Sequence, residues 1–332
     1  MTDRPAARMV TVAEVAARLR GEKRILVVTH ESPDGDALGS LVAFRLVAER
    51  LGIAVATYVP GNTPFPSEYS FLPHLTDILR GAPPQVDADT TVYMLDCASL
   101  LRSHGHRVEE PAYRVNIDHH QDNPGYAEEN LLVPDAPSTT AILYDVFQAG
   151  GFTIDTVVAT ALYLGLLTDT GRFQYSNTTA AAHRMAASLI DVGLDVNYIS
   201  RMVYEQTPLP KLLLLRQALS RIDLHLGGLL VTAWVSRGDF AEAGAEDSHT
   251  EGIIDQLRCL QGVRVAAFLK ERNHDGRTEY KVSLRSTDGT VDVAHIANKQ
   301  GGGGHIRAAG FTYPGDLTEA IKWLQQEVAA QL

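Results

Sequence analysis

The chain has 332 residues, of which 45 % are hydrophobic, and a formal net charge of −11 at pH 7. This length exceeds what one hydrophobic core usually covers, and no stretch approaches the roughly 20 apolar residues that span a bilayer, so we expect two domains and no membrane helix. The negative charge, without a long cluster of lysine and arginine, argues against a protein that holds long nucleic acids.

The first predicted buried strand ends in a polar loop. Residues 25–28 are branched and apolar, and a helical stretch over residues 38–51 follows the loop. The loop between them contains His30, Asp34 and Asp36, which therefore lie at a strand's carboxyl end. Taken alone, an Asp-Gly-Asp sequence is an ordinary turn, so it indicates a functional site only if similar residues follow other strands.

Two further predicted strands end in the same way, and a helix brings one more carboxylate. The strands cover residues 92–95 and 113–117, and the helix covers residues 157–167. Open α/β sheets bind ligands at the carboxyl ends of their strands, so we expect these polar residues to converge on one crevice. The residues at these ends are Asp96, Asp118, His119, His120 and Asp169.

The residue types in this set indicate the kind of metal site. Carboxylates and imidazoles without thiolates favour Mn²⁺, Mg²⁺ or Fe over a structural zinc. So many carboxylates would repel one another unless more than one divalent cation compensated them. Any one of these residues alone is more often a helix cap or a turn residue, but the combined set predicts a two-metal site suited to phosphoryl chemistry.

The second half of the chain has a different pattern. A polar stretch over residues 195–209, with Pro208 inside it and Pro210 directly after it, predicts the join between domains. We expect a domain over residues 1–190, a linker over 191–215 and a smaller domain over 216–332. The smaller domain alternates predicted strands (229–235, 263–270 and 280–285) with predicted helices (252–260, 291–298 and 317–330), which indicates a small mixed sheet with helices.

A run of glycines over residues 301–304 precedes His305 and Arg307. Glycine amides can wrap an anionic group, and we expect residues 306–310 to open a helix whose positive end also favours anions. The alternative is a flexible linker. We favour a phosphate-binding loop because two basic side chains stand at its end.

The two cysteines bear on the cellular compartment. Cys97 and Cys259 fall in different predicted domains and give no sign of a disulfide framework, which is typical of a reducing compartment. The amino-terminal stretch lacks the apolar block of a secretory signal, and residues 11–19 have the pattern of an amphipathic helix. We therefore expect a cytoplasmic protein in which Cys97 is a buried thiol near the site.

With these motifs the sequence resembles the DHH phosphoesterase superfamily. More narrowly, it resembles the bacterial nanoRNase and 3′-phosphoadenosine-5′-phosphate phosphatase group, whose members carry a DHH-associated C-terminal domain. The motifs span nearly the whole chain. They are His30-x-x-Pro33-Asp34-x-Asp36, Asp96 with Arg102, Asp118-His119-His120 with Asn123, Gly165-x-x-x-Asp169-Thr170-Gly171, and Gly301-Gly302-Gly303-Gly304-His305-x-x-Ala308-Ala309-Gly310.

The resemblance implies an α/β fold and a division of labour. It implies an N-terminal domain with a mostly parallel sheet and flanking helices, a linker, and a smaller mixed-sheet α/β domain, with the active site in the cleft between domains. His30 and Asp34 would hold one metal, and Asp36, His119 and Asp169 the other, with Asp96 bridging both. His120 would face the scissile phosphate and Asp118 would orient its neighbours. The substrate would be bound by Arg102, Arg285, Gly303, Gly304, His305 and Arg307.

Two segments depart from the family pattern. Cys97-Ala98-Ser99 stands where relatives often have Thr-Ala-Asn, and Ala141 stands where relatives often have glutamate. Neither position is a metal ligand in the family. The departures therefore concern contacts with the substrate rather than the chemistry.

The expected activity is hydrolysis of short RNA to 5′-mononucleotides and of 3′-phosphoadenosine-5′-phosphate to AMP, with two Mn²⁺ ions, or Mg²⁺ or Co²⁺ in their place. The partners would be short RNA and small nucleotides, and a homodimer is possible. A cyclic or linear dinucleotide phosphodiesterase would use the same site. A RecJ-like DNA exonuclease would need a basic channel, a non-enzymatic RNA-binding module has no need of the metal set, and a pyrophosphatase would lack the glycine motif.

Overall fold

The computed structural model describes residues 7–87, 89–103, 113–274 and 276–332. The chain divides into two compact units, Met1–Gln206 and Thr207–Leu332. Each unit has its own six-stranded sheet and its own hydrophobic core. This architecture confirms the predicted α/β fold with a parallel sheet in one part and a mixed sheet in the other. The exact domain limits and the interdomain active site stay predictions.

The sheet of the first unit is parallel throughout, with strand order β1-β6-β5-β4-β2-β3. The central strands β4 and β5 are completely buried, which explains why they appear in the sequence as apolar runs rather than as alternating patterns. The strands are β1 (Arg8–Met9), β2 (Arg24–Val28), β3 (Ala54–Tyr58), β4 (Thr91–Leu95), β5 (Arg114–Asp118) and β6 (Glu129–Leu132).

Helices of the first unit pack on this sheet and on one another. They are α1 (Val12–Gly21), α2 (Gly35–Arg50), α3 (Thr139–Ala149), α4 (Thr156–Asp169), α5 (Ala180–Asp191) and α6 (Val196–Tyr204). Helix α4 is apolar on nearly all sides, as expected for a helix inside a core. Helices α2 and α4 approach closely at Gly165, where an added Cβ would lie 2.4 Å from Oδ1 of Asp36. This close crossing holds the start of α2 against α4.

The sheet of the second unit is mixed, with strand order β11-β12-β10-β9-β8-β7. Only β8 and β9 pair in parallel; the other described pairs are antiparallel. The strands are β7 (Asp223–His225), β8 (Leu230–Val235), β9 (Val265–His274), β10 (Arg277–Ser286), β11 (Gly303–His305) and β12 (Ala308–Pro314), and the helices are α7 (Leu209–Ser220), α8 (Arg237–Ala243), α9 (Ile253–Arg258), α10 (Val293–Asn298) and α11 (Leu317–Ala329).

Most elements predicted from the sequence are present, with two corrections. The helix expected to open over residues 306–310 is wrong, because Ala308–Pro314 is strand β12 and its backbone pairs along its whole length with β10. The polar stretch chosen for the domain join contains helix α6. Among the helices of the described ranges, none is long and apolar enough to cross a membrane.

Candidate metal centre

Three neighbouring strands of the first sheet deliver the predicted ligands. Strand β4 lies between β2 and β5, so the residues that follow these three strands meet at one edge of the sheet. His30 comes two residues after β2, Asp96 comes directly after β4, and Asp118 is the last residue of β5. The position of β4 places Asp96 in the middle.

Two helix ends complete the set. Asp34 is the N-cap of α2, where its Oδ1 accepts hydrogen bonds from the amides of Asp36 (3.1 Å) and Ala37 (3.0 Å). Asp36 lies in the first turn of α2 and is fully buried. Asp169 is the last residue of α4. The residues predicted as ligands thus come from strand ends and helix ends, which are fixed by backbone hydrogen bonds.

The side chains form three groups that could each hold a metal ion, with donor atoms in each group within 4.8 Å of one another. The groups share members, so the site is continuous. Asp96 belongs to two groups and His119 to two. The groups are His30 with Asp34 and Asp96, Asp36 with His119 and Asp169, and Asp96 with His119 and His120.

Asp96 presents its two carboxylate oxygens to different histidines. Oδ2 lies 3.6 Å from Nε2 of His30, and Oδ1 lies 3.6 Å from Nε2 of His119. Oδ1 also accepts a hydrogen bond from the hydroxyl of Thr139 (3.0 Å). Burial would raise the pKa of Asp96, but the neighbouring histidines, His30 first among them, outweigh it and hold the pKa below its usual value. A carboxylate placed in this way is suited to contact two cations.

Two histidines have one ring nitrogen engaged by a backbone carbonyl. Nδ1 of His30 lies 2.9 Å from the carbonyl oxygen of Glu31, and Nδ1 of His119 lies 3.2 Å from that of Ala136. A carbonyl only accepts, so Nδ1 carries the proton in both rings. The Nε2 lone pair of each ring is then free for a metal, which is the usual arrangement of histidine ligands.

His120 has a different environment. Its Nδ1 lies 2.7 Å from Oδ1 of Asp118, a fully buried carboxylate whose Oδ2 accepts from Nδ2 of Asn123 (2.5 Å). The hydrogen bond that His120 donates to Asp118, opposed by partial burial, raises the pKa of His120 to about 9. Asp118 also accepts from the amides of His119 and His120, so it fixes both histidines.

Two other carboxylates of the site, Asp36 and Asp169, have a raised pKa. Burial, together with the charges of Asp96 and Asp34, raises the pKa of Asp36 well above its usual value. Burial and the charges of Asp36 and Asp96 raise the pKa of Asp169 to about 10. Such shifts follow from like charges close together in a buried place, and divalent cations would relieve them.

Two threonines that the sequence did not single out as functional support Asp36. The amide of Thr139 donates to Oδ2 of Asp36 (2.6 Å), while the amide (3.0 Å) and hydroxyl (2.8 Å) of Thr140 donate to Oδ1. The start of α3 therefore holds this buried carboxylate through both oxygens. The signal in the sequence was the N-cap Ser138 followed by two threonines, in the segment before the departure at Ala141.

Arg102, predicted to contact substrate, is exposed at the edge of this centre. Its Nη2 lies 3.2 Å from Nδ1 of His30. That nitrogen faces the carbonyl of Glu31 and needs its proton there, so it is a poor acceptor for the guanidinium. The buried Cys97 lies next to Asp96, as expected, and its carbonyl accepts hydrogen bonds from Asn123 and Tyr126.

The remaining predicted residues belong to the second unit, and three of them, Arg285, Gly303 and His305, share one face of its sheet. Arg285 of β10 pairs with Ala308 of β12, which pairs with His305 of β11, so all three side chains point to the same side. The next pairs along these strands are Ser283 with Gly310 and Gly310 with Gly303. We call this the open face, defined by Lys281, Ser283, Arg285, Gly303, His305 and Gly310.

A cavity of about 340 Å³ opens on this face, lined by Phe268, Lys270, Lys281, Ser283 and Arg285, with residues of the α9 region on its other side. Gly303, Gly304 and His305 form the exposed first strand of a hairpin. Arg307 lies in the turn of this hairpin and donates from Nη2 to the carbonyl of Asp288 (3.3 Å). The glycine segment is therefore an ordered hairpin in the described structure rather than a loop that leads into a helix.

Comparison with protein families gives two matches. Residues 24–166 match the DHH family, N-terminal domain, and residues 227–330 match the DHHA1 domain. The candidate metal ligands fall inside the first match except Asp169, which lies just beyond it, and the open face falls inside the second.

Curated relatives cover nearly the same length. The bifunctional oligoribonuclease and PAP phosphatase NrnA of Thermus thermophilus is 34 % identical over 329 residues, which cover 98 % of this chain and 94 % of the relative. The protein of the same name from Bacillus subtilis is 25 % identical over 301 residues, which cover 90 % and 92 %.

Solved structures share the fold. An exopolyphosphatase-related protein from Bacteroides fragilis superposes with a TM-score of 0.85 at 22 % identity, over 96 % of each chain. RecJ from Thermus thermophilus, in complex with Mn²⁺, has a TM-score of 0.54 at 15 % identity and covers 99 % of this chain and 56 % of that one.

Proposed function

The chain belongs to the DHH family, and from this premise we propose that it is a two-metal phosphoesterase. Its proposed substrates are short RNA oligonucleotides, hydrolysed to 5′-mononucleotides, and 3′-phosphoadenosine-5′-phosphate, hydrolysed to AMP. The two NrnA relatives, which match this chain over most of its length, support both substrates.

The main support for the proposal is the position of Asp96 between two groups of side chains that could each hold a metal ion. His30 and Asp34 would hold one ion, and Asp36, His119 and Asp169 the other. Oxygen and imidazole donors without thiolate suit Mn²⁺, with Mg²⁺ or Co²⁺ as substitutes. When bound, two such ions would stabilise phosphoryl charge and make a water more acidic.

His120 is proposed to act on the leaving group. Asp118 engages Nδ1 of His120, so Nε2 is the nitrogen left for the substrate. A ring fixed in this way can donate a proton to the departing oxygen, or stabilise the charge that develops there. Asp118 would act through His120 and His119 rather than touch the substrate.

Arg102 is proposed to bind a phosphate close to the metal centre. Its guanidinium is exposed and lies beside a nitrogen that cannot accept while it donates to Glu31. Among the described residues this arginine has no strong acceptor, and it stands next to His30, so it is well placed for a phosphate oxygen, which would accept two of its N–H groups.

The open face is proposed to hold a second anionic group of the substrate. Arg285 and His305 lie in one row of this face, and the next row contains two glycines, Gly310 and Gly303, beside which an anion can reach backbone amides. Lys281 stands one row further on. The net charge of −11 favours short nucleotides over long strands, because long strands need many basic contacts.

A single product-resolved assay tests the proposal. Purified protein with Mn²⁺ is offered RNAs of two to about seven nucleotides, a long single-stranded DNA, 3′-phosphoadenosine-5′-phosphate and a cyclic dinucleotide, with the Asp96→Asn variant as a control for contaminating nucleases. We expect mononucleotides released fastest from the shortest RNAs, and AMP from the bisphosphate. Faster turnover of the long DNA or the cyclic dinucleotide, or rates independent of RNA length, would contradict it.

A further inference from the structure

The backbone directly after Asp169 has an unusual conformation. Gly171, Arg172 and Phe173 have φ angles of 55°, 62° and 61°. Left-handed residues are common singly and at glycine, whereas here three follow one another and two carry side chains. Such strain persists only where the surrounding structure enforces it, and it concentrates at functional sites.

Several contacts enforce this turn. The buried Thr170 donates from Oγ1 to the carbonyl of Leu166 (2.6 Å), and the same oxygen accepts from the amide of Phe173 (3.1 Å). The ring of Phe173 stacks on His183, with centroids 5.1 Å apart and planes 25° apart. The guanidinium of Arg172 lies 3.6 Å from the ring centroid of Tyr204. The segment is therefore fixed rather than free to rearrange.

The turn places the ring of Tyr175 against Gly171, two residues after the proposed ligand Asp169. A Cβ added at Gly171 would lie 2.4–2.6 Å from three carbons of this ring, so the ring rests directly on the glycine backbone. Gly171 is two residues from Asp169, and the two Cα atoms are at most about 7 Å apart. Tyr175 nevertheless stays 54 % exposed. A large aromatic surface is thus held open to solvent next to a proposed metal ligand.

We propose that Tyr175 is the platform on which a nucleotide base stacks while its phosphate lies at the metal centre. The inference rests on the proposed function, because it needs a nucleotide substrate. Every base has a π-face, so a stacking contact accepts any sequence, and it suits an enzyme for short RNAs of mixed sequence. Gly171 then has two purposes, since it permits the left-handed turn and admits the ring.

Steady-state kinetics on a dinucleotide RNA, with Tyr175→Leu and Tyr175→Phe, test the proposal. Leucine keeps an apolar contact with Gly171 but removes the π-face, and phenylalanine keeps the ring. Since stacking contributes about 1–3 kcal/mol per base, we expect Tyr175→Leu to raise KM about 5- to 100-fold, with kcat within about twofold, and Tyr175→Phe to resemble the wild type. Tyr198→Leu, which removes another exposed tyrosine of the same unit, is the matched control and should change little.

Dinucleotides in which one or the other base is replaced by hydrogen separate stacking from structural support. On one of these two abasic dinucleotides, the KM of the wild type should rise to the value that Tyr175→Leu has on the complete dinucleotide. The KM of Tyr175→Leu should be the same on that abasic dinucleotide as on the complete one. An equal loss by Tyr175→Leu on complete and abasic substrates would overturn the proposal, as would an unchanged KM.

Calorimetric binding of AMP and ribose 5-phosphate to the Mn²⁺-loaded chain gives a readout without turnover. We expect AMP to bind the wild type about 5- to 100-fold more tightly, and this preference to vanish in Tyr175→Leu. Equal binding of the two ligands by the wild type would overturn the inference. If the wild type prefers AMP but does not hydrolyse RNA, the proposed function is wrong and the stacking role of Tyr175 is supported. If RNA is hydrolysed and Tyr175→Leu has no effect, the proposed function is supported and the stacking role is wrong.

Discussion

The metal centre of the first unit and the open face of the second are built in opposite ways. Asp36, Asp96 and Asp118 are at most 2 % exposed, and each accepts hydrogen bonds that fix its carboxylate. On the open face, Gly303 and His305 are exposed on a short hairpin. The proposed reacting groups are therefore held in place before a substrate binds, whereas the proposed substrate contacts can adapt. Changes in the first region should therefore lower kcat, and changes in the second should raise KM.

The largest effect is expected from Asp96→Asn. Asparagine tolerates the left-handed backbone at this position (φ 54°), so the fold should be kept, whereas alanine would add strain. The variant removes the charge shared by two metal groups, which is worth several kcal/mol in the transition state, so we expect kcat to fall about 1000-fold or more. Turnover of a dinucleotide RNA measures this.

Thermal unfolding with and without Mn²⁺ provides the control for Asp96→Asn. At neutral pH the metal-free variant should be somewhat less stable than the metal-free wild type but still folded, because the surrounding histidines hold the pKa of Asp96 below its usual value and so stabilise its charged form. The stabilisation by Mn²⁺ should be smaller in the variant, since a ligand stabilises the state that binds it. Activity near the wild-type level would refute the bridging role of Asp96.

Gly165→Ala tests whether the helix crossing sets the metal centre. The new Cβ would lie 2.4 Å from Oδ1 of Asp36 and about as close to the side chain of Thr140, so Asp36 must shift. We expect kcat to fall about 10- to 100-fold and the free energy of unfolding to fall by about 1–3 kcal/mol. Gly21→Ala, where no atom lies within 4 Å of the new Cβ, is the matched control and should change neither. Full activity in Gly165→Ala would show that the close approach of α2 and α4 does not control the geometry of the metal centre.

Arg285→Gln tests the other side of the comparison. The substitution removes a charge that can bind a substrate phosphate, so KM should rise about 10-fold or more while kcat stays within about twofold. Arg277→Gln changes an exposed arginine at the far end of the same strand and should leave KM unaltered. If Arg285→Gln lowered kcat and left KM unchanged, the open face would take part in the chemistry and the contrast between the two regions would fail.

The sequence predicted the metal centre better than the open face for a physical reason. His30, Asp96 and Asp118 follow apolar strands, and parallel strands bring their carboxyl ends together, so local order is enough to place them. Thr139 and Thr140 meet Asp36 from more than 100 residues away, and no local pattern indicates such a contact. The glycine run gives no periodicity, and its structure is decided by the pairing of β11 with β12, which in turn pairs with β10. Helix α6 was missed although Asp195 caps it.

Asp239→Asn should affect stability without affecting chemistry, which makes it the smallest expected effect on activity. The hydrogen bond from Arg221, together with those from Ser236, lowers the pKa of Asp239 to about 2. The unfolded value is near 3.9, so the wild type gains stability from this carboxylate above about pH 4 and loses it as the pH falls towards about 2. We expect the variant to be about 1–2 kcal/mol less stable at neutral pH, and the difference to shrink below pH 4.

The chain's two tryptophans make this measurement specific, because Trp234 and Trp323 both lie in the second unit. Urea unfolding followed by tryptophan fluorescence therefore reports on that unit, while the rate at saturating dinucleotide reports on the metal centre. Asp255→Asn, at a more exposed carboxylate 3.6 Å from Arg258, is the control and should cost less than about 0.5 kcal/mol. A difference between Asp239→Asn and the wild type that did not depend on pH would show that the carboxylate is not ionised against Arg221. A loss of kcat in Asp239→Asn would show that a change confined to the second unit also alters the chemistry at the metal centre.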